Sequence, residues 1–503
     1  MPPRGRHVAV APGRHLPMWL VGAAAIVGLA GVYSTLGGSN GDERAPAMET
    51  ATPTPANTRF PGITTFRGNA SRSYYGEGPV PSAPVTRWKF PVAGSPKLCA
   101  MSAETQSGPK KQWCGTGWTG QPNVVPSAGG GMEVREGAFD DAYHFLDAGS
   151  GREIRSPLVT GDLAKGSATS DPAGFPLYYA GSRDNLLRIV GMDRADPTVL
   201  WELDANDSVP QPLWNDDWDG AALVVGDYLI EGGENSWLYV IRLHRSYDAG
   251  GLVTVAPEVV ATIQGWDERL LRDVGDQDVS IENSVAFRDG VVYFANSGGL
   301  VQGWDISDLL QGGSDYQQVF RFWTGDDTDA SIVIDDEGYL YVASEFQRFL
   351  PRGRETGQLM KLDPGAPDPL VWSLSATEIG FEAAGGSWST PAIYGDRVYF
   401  TTAAGRVLEV DRTTGDVTWE AQIAAPAIAS PVVVDGTLMQ GDCSGHLYAW
   451  DVGAGGTPTL SWNLDLGDCI ESTPAVWHGW LFVGTREGYL YGIADAETPA
   501  PRP

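Results

Sequence analysis

The chain has 503 residues and a formal net charge of −29, with only 19% charged residues but 64 glycines, 35 prolines and 18 tryptophans. That composition suits many short strands joined by tight turns rather than long helices, in one large all-β domain or several ordinary ones. A body this acidic repels phosphate backbones, which argues against a nucleic-acid partner.

Residues 1–15 form a basic tail, and residues 16–36, "LPMWLVGAAAIVGLAGVYSTL", contain no charged side chain. A run of about 20 apolar residues spans a bilayer as a helix, and basic residues before it stay in the cytoplasm. This predicts a single-pass signal anchor in the cell membrane with everything downstream on the extracytoplasmic side. A cleaved signal peptide is the alternative, with small residues near Ala30-Gly31 as its processing site, disfavoured by the long apolar run and the lack of a clean A-x-A site. Residues 37–60, rich in Gly, Pro, Ala and Thr, read as a flexible linker.

From residue 61 to 495 there is no helical periodicity of useful length, only apolar runs of four to seven residues between Gly, Asp and Pro turns. The stretch "EVDRTTGDVTW" sets Trp419 eight residues after Asp411, and "GMDRADPTVLW" sets Trp201 eight after Asp193. Trp372 follows Asp363 by nine residues, and Trp462 follows Asp451 by eleven. The unit starts recur too, as "STPAIYGDRVYFTT", "ASPVVVDGTLMQGD" and "STPAVWHGWLFVGT", with weaker copies upstream that bring the count to eight. Successive repeat aspartates lie 48 and 40 residues apart at Asp363, Asp411 and Asp451. Four strands per unit at that period predict an eight-bladed β-propeller, with the tryptophans packed between blades.

The eighth unit has only three strands before the tail 496–503, which reads as disordered. Its missing outer strand is expected at the other end of the domain, in "TRWKF" around Trp88, so that the first strand closes the ring. Four cysteines fit an oxidising compartment, and pairing by proximity gives Cys99–Cys114 and Cys443–Cys469, each loop contributing about 3 kcal/mol. Three connectivities are open in principle. Zinc is the alternative, but no C-x-x-C spacing supports it.

These units resemble the pyrroloquinoline-quinone-like (PQQ-like) β-propeller repeat family, whose signature is roughly A-x-D-x-x-T-G-x-x-x-W. The match runs through Asp411, Thr414, Gly415 and Trp419, and "FRGNASR" (66–72) looks like the segment that precedes the first blade in such proteins. The resemblance spans about residues 62–495 and is weakest in blades 3 and 4. It implies the fold, and two branches of activity. Quinoprotein dehydrogenases hold the quinone and calcium, often against a disulfide between adjacent cysteines. No two cysteines are adjacent here, and no quinone-binding residue can be carried over. The other branch consists of non-enzymatic scaffolds such as the outer-membrane assembly lipoprotein.

No H-E-x-x-H, Walker loop, G-x-G-x-x-G or C-x-x-C-H occurs, and the six histidines show no ligand spacing, so His144 and His446 read as packing or surface residues. One constellation stands out. Asp219, Glu282 and Asp329 share one register before the innermost strands of blades 3, 4 and 5, predicting an acidic, ligand-binding crescent at the channel mouth. Within it "NDDWDG" places Asn215, Asp217 and Asp219 at the spacing that opens a calcium loop, without the acids that would complete it. Trp214, Trp218 and Trp388 beside the acids suggest, as a third reading, a carbohydrate platform. The leading expectation is a membrane-anchored binding or assembly scaffold for an envelope protein or cell-wall component, with no resident cofactor beyond a candidate calcium. The alternative is a PQQ- and calcium-dependent oxidoreductase.

Overall fold

The computed structural model describes residues 61–503 apart from 106–107, 118–119 and 454–455. The basic tail, the candidate anchor 16–36 and the linker lie outside the described residues. Among those described, no helix is long and apolar enough to cross a membrane.

Seven four-stranded sheets and one five-stranded sheet follow one another along the chain. They are blades 1 to 8, covering residues 123–159, 169–204, 223–264, 286–323, 333–374, 392–422, 432–465 and 475–494. Each of the four-stranded sheets is an antiparallel meander whose first strand is innermost, and in blade 8 the lead-in strand Gly76–Glu77 adds in parallel inside the first strand. Short helices Glu268–Val274, Ser307–Leu310 and Pro351–Thr356 interrupt the all-β pattern, all within connecting loops.

The repeated aspartate, glycine and tryptophan have a common physical basis. Asp411 turns the chain between the third and fourth strands by accepting the N–H groups of Thr413 and Thr414 at 2.9 and 3.0 Å. Gly415 follows at φ +77°, and a Cβ there would meet the Trp372 ring of blade 5 at 2.7 Å. The repeat tryptophans thus lie against the next blade: Trp419 meets Trp450 edge-on at 5.8 Å, and Trp201 packs into the core of blades 2 and 3. Trp372 donates its indole N–H to Arg412 O of blade 6, and Trp462 donates to Pro81 O beside blade 8.

The ring closes as expected. Val85–Phe90 pairs antiparallel with Tyr489–Ala494, supplying the fourth strand of blade 8. Trp88 then does at this seam what the other tryptophans do elsewhere. Its indole N–H donates to Ala148 O of blade 1 at 2.9 Å, and its ring covers Gly151 and Gly492. Beside it Phe90 meets the His144 ring at 5.0 Å.

Two further rings of bonds tie the blades together on the inside. Backbone N–H groups of Ala221, Ser284, Ser331 and Thr390 donate in turn to the hydroxyls of Ser284, Ser331, Thr390 and Ser430, at 2.8 to 3.0 Å, stitching blade 3 through to blade 7. Deeper along the same strands, the lead-in winds through the channel in blade order. Ile63 exchanges two bonds with Val124 of blade 1, Thr64 O accepts from Ser170 N of blade 2, Ala70 O from Phe287 N of blade 4, and Ser71 O from Ile334 N of blade 5. The Tyr75 hydroxyl accepts from Ile393 N of blade 6, and Gly76 pairs with Val476 of blade 8. Buried Arg67 and Arg72 donate to the carbonyls of Thr390, Pro391, Ala221 and Val285.

Both expected disulfides form, Cys99–Cys114 and Cys443–Cys469. The tail differs from expectation. Residues 496–503 lie along the last blade, where the indoles of Trp480 and Trp477 donate to Pro499 O and Arg502 O at 2.7 and 3.1 Å. Two buried indole N–H groups need acceptors, and the tail supplies two carbonyls three residues apart.

Trp88→Ala should remove about 3–5 kcal/mol of stability and open the seam, read as a lower denaturant midpoint and faster proteolysis between residues 61 and 122. His144 tests the same seam. Burial disfavours its charge, but the hydrogen bonds its ring N–H groups donate to Asp140 and Glu153 outweigh that and push its pKa up to about 9. A raised folded value means stabilisation that is complete below about pH 6.5 and is lost as the pH passes 9. Wild type should exceed His144→Gln by about 3 kcal/mol at pH 6, with the two converging above pH 9.

Candidate functional site

The loops before the first strands, and those between the second and third strands, emerge on one face. Two positions in them recur with the blade period. The first lies four residues before each inner strand and is held by Lys165, Asp219, Glu282, Asp329, Trp388, Ile428 and Glu471 in blades 2 to 8. The second lies two residues before a left-handed residue. Asn185, Ser236, Gly299, Gly445 and Gly488 take positive φ, and Arg183, Glu234, Ser297, Cys443 and Arg486 precede them. In blade 5, where a longer loop is inserted, Glu345 holds the matching place just past the second strand. Both positions face the mouth, so the ring of blades converts two sequence columns into one cluster of side chains.

The crescent of Asp219, Glu282 and Asp329 is therefore real as a register, and Glu282 acts electrostatically on both of the others. It is not solvated. Asp219 is 0% exposed and Asp329 7%, while Glu282 is partly buried. Two features of the chain cover the mouth. The hairpin closed by Cys99–Cys114 places Trp113 under the guanidinium groups of Arg183 and Arg486, at 4.8 and 5.3 Å. Opposite it, the loop 345–357 is anchored by Asp326, whose carboxylate accepts the backbone N–H groups of Gln347, Arg348 and Phe349.

The buried carboxylates fall into two groups. In blade 3, Asp217, Asp219 and Glu234 surround Lys165 Nζ at 3.1, 2.5 and 2.7 Å, and Arg183 adds a second contact to Asp217 at 2.7 Å. Burial disfavours the lysine charge, but the three acids outweigh it and hold Lys165 well above its ordinary pKa. The Lys165 ammonium in turn holds Glu234 below the usual carboxylate range against its burial. Asp217 is pushed up to about 7 by burial and by the Glu234 charge. The expected Asn215–Asp217–Asp219 calcium loop is rearranged accordingly. Asn215 turns its amide N–H to Glu234 Oε2 at 2.8 Å, and an ammonium stands where the cation would sit. A metal ion there would have to displace Lys165.

In blade 5, Asp327, Asp329 and Glu345 bring one oxygen each to within 4.8 Å of one another. Burial and mutual repulsion push all three carboxyls up. Glu282, pushed up to about 7 by burial and by Glu234, lies between the two groups and accepts from the Ser280 hydroxyl at 2.8 Å.

Reading the sequence did not bring out Lys165, Glu234, Glu345 or the arginines. The signal was there in the first column, since Lys165 stands at the register used to find the acids, and in the second for Arg486, two residues before Gly488, whereas Arg183 and Glu234 precede Asn185 and Ser236 and carry no glycine to mark them. The tryptophans do not make a platform. Trp218 is 1% exposed, with its indole N–H on Asn185 O, and Trp388 is half-buried edge-on to Phe381, which leaves Trp214 exposed.

The family model described as outer membrane protein assembly factor BamB matches residues 266–498. Over that span, blades 4 to 8, the chain is similar to the PQQ-like β-propeller repeat. Three solved structures share its fold: BamB from Moraxella catarrhalis, quinohemoprotein alcohol dehydrogenase from Comamonas testosteroni, and the computationally designed protein Ika8. BamB is 15% identical with a TM-score of 0.51, over 74% of this chain and 95% of BamB. The dehydrogenase is 12% identical with a TM-score of 0.55, over 88% and 82%. Ika8 is 12% identical with a TM-score of 0.50, over 76% and 99%. No curated protein sequence matches. These likenesses confirm the fold, including blades 1 to 3, which the family model does not reach.

Lys165→Met should unbalance the blade 3 group, costing about 3–5 kcal/mol at pH 7.5, because removing one partner leaves buried charge uncompensated. The deficit should shrink at pH 5.5, where the acids take up protons, and paired denaturation curves at the two values measure it.

Proposed function

We propose that this chain is an extracytoplasmic binding and assembly scaffold, held at the cell membrane by residues 16–36, whose mouth-side loops engage an envelope protein or cell-wall component. The observation that carries the reading is a set of exposed apolar side chains on those loops. Trp214, Phe349 and Ile379 are 43%, 45% and 56% exposed, on the loops before blade 3, within blade 5 and before blade 6. Trp214 and Phe349 are also held at φ +70° and +55°, a strained backbone for bulky residues that the surrounding loops must enforce. Large apolar groups displayed on positioned loops mark a binding surface more often than a fold requirement. The net charge of −29 favours a basic partner. The likeness to an assembly factor agrees with this reading at the level of fold.

The alternative is a quinone oxidoreductase, and the donor set argues against it. Pyrroloquinoline quinone is a tricarboxylate and needs unspent cations. Lys165 and Arg183 are committed to the blade 3 acids, Arg348 to Asp276 and Asp278, and Arg486 to Glu471. An anion entering this mouth would meet carboxylates whose basic partners are already paired.

Affinity purification of the full-length protein after crosslinking in its own host should recover an envelope protein or cell-wall fragment. The double variant Trp214→Ala/Phe349→Ala should reduce that recovery at least about fivefold while leaving the thermal midpoint within about 2 °C, since exposed side chains contribute little to folding. Undiminished recovery from the variant, or a bound quinone chromophore with alcohol oxidation after incubation with quinone and calcium, would refute the scaffold reading.

A further inference from the structure

The two carboxylate groups at the mouth are built from the same two sequence columns and are filled differently. In blade 3 the group of three acids encloses an ammonium, from Lys165 one blade back. In blade 5 the corresponding three acids enclose none. The residue one blade back in Lys165's column is Glu282, another acid, so the chain places a negative charge where the other group has its counter-ion. The guanidinium on the covering loop acts on Asp327 through its charge but donates its hydrogen bonds outside the three acids. Arg348 spends its N–H groups on Asp276 Oδ2 at 2.7 Å, Asp278 O at 2.7 Å and Ser297 O at 3.1 Å.

The oxygens themselves carry a second, separate observation. Glu345 is 0% exposed, and no donor from outside the acidic group reaches either of its carboxylate oxygens, which meet only the neighbouring carboxyl of Asp329; Asp327 Oδ1 is buried and without a donor as well. The donors that do arrive are neutral and few: the Ser297 hydroxyl to Asp329 Oδ1 at 3.1 Å, and the Gln347 amide to Asp327 Oδ2 at 2.5 Å. A buried carboxylate with no donor costs several kcal/mol unless something positive meets it. Three oxygens within 4.8 Å of one another, in a site of oxygen donors alone, suit a hard divalent cation.

We propose that Asp327, Asp329 and Glu345 bind one divalent cation of the calcium class, without any quinone, and that the ion takes in blade 5 the place Lys165 takes in blade 3. The covering loop 345–357 then carries one of its own ligands, Glu345, so the ion ties that loop, and with it Phe349, to the start of blade 5. The proposal stands apart from the scaffold reading, since the site is internal and its occupancy is measured without any partner.

The test uses the full-length protein stripped with a chelator and titrated calorimetrically with calcium chloride, then magnesium chloride, at pH 7.5. One ion per chain should bind, and calcium at saturation should raise the thermal midpoint. Glu345→Gln and Asp327→Asn should each weaken binding by about tenfold or more and remove the thermal rise. Both variants should be at least as stable as wild type when metal-free, because each removes like-charge repulsion, which separates lost binding from lost folding. Asp289→Asn, an exposed acid on the opposite face, should bind as wild type does. Absence of binding at millimolar calcium and magnesium would overturn the proposal, as would unchanged binding in Glu345→Gln. A cation-independent gain in stability on acidification, with no heat of binding, would also overturn it by assigning the site to shared protons.

Discussion

Closure of the ring is the constraint on which everything else rests. A four-stranded sheet with two apolar faces is stable only when both are covered, so eight sheets in a circle are complete only if the first and last meet. The chain meets this with a strand from its beginning. Val85–Phe90 pairs with the last blade, and Trp88 repeats across the seam the contact that Trp372 and Trp419 make between blades formed in sequence. The glycines under these rings follow from the same geometry: a Cβ at Gly151 or Gly415 would occupy the space the indole needs. The lead-in adds closure from within. By bonding in turn to the inner strands of blades 1, 2, 4, 5, 6 and 8, residues 63–76 tie together blades that do not touch one another directly.

A closed ring also turns repetition in sequence into convergence in space. Equivalent positions of different blades point to one axis, so any column of the repeat becomes a ring of side chains. Where the column holds hydroxyls, as at Ser284, Ser331, Thr390 and Ser430, the result is a belt of hydrogen bonds. Where it holds charge, the result is a cluster that no single blade would tolerate. Lys165, Asp219 and Glu282 lie more than a hundred residues apart from first to last, yet act on one another directly. This explains how so many carboxylates come to be buried in a fold without a catalytic motif.

The fold was legible because its determinants are local. The aspartate turn, the glycine and the tryptophan stand within eleven residues of one another, and the missing strand of blade 8 could be found by counting. The register of Asp219, Glu282 and Asp329 was legible for the same reason. What surrounds them was not, because it comes from departures from the repeat. The hairpin 99–114 and the insert 345–357 follow no period, and they decide whether a carboxylate at the mouth is solvated or buried. Trp218 was misjudged on the same ground: beside acids in the sequence it looked exposed, whereas its neighbour Asn185 in the preceding blade offers a carbonyl that draws the indole inward. The tail escaped notice because its acceptor role depends on two indoles that point to it only once blade 8 is built.

The contrast between blades 3 and 5 shows how such a ring diverges in function without changing fold. One substitution in one column, a lysine for an acid at residue 165, supplies an internal counter-ion and makes its group of carboxylates a finished part of the structure. Two blades later an acid, Glu282, stands in place of that lysine, and the group beside it has no ammonium of its own. The inner strands and their hydroxyl belt place the first-column acids of both groups alike, and the difference lies in the residue one blade back and in the insert that carries Glu345. The acids nearest an unspent position can therefore respond to what the surroundings supply, while those around Lys165 cannot. The exposed aromatics are arranged in the same way, since Phe349 sits on the loop that carries Glu345 and Trp214 on the loop that carries Asp219. Surface and interior of the mouth are thus coupled through loops a few residues long, and that coupling gives buried charge at the axis a means of shaping what the rim displays.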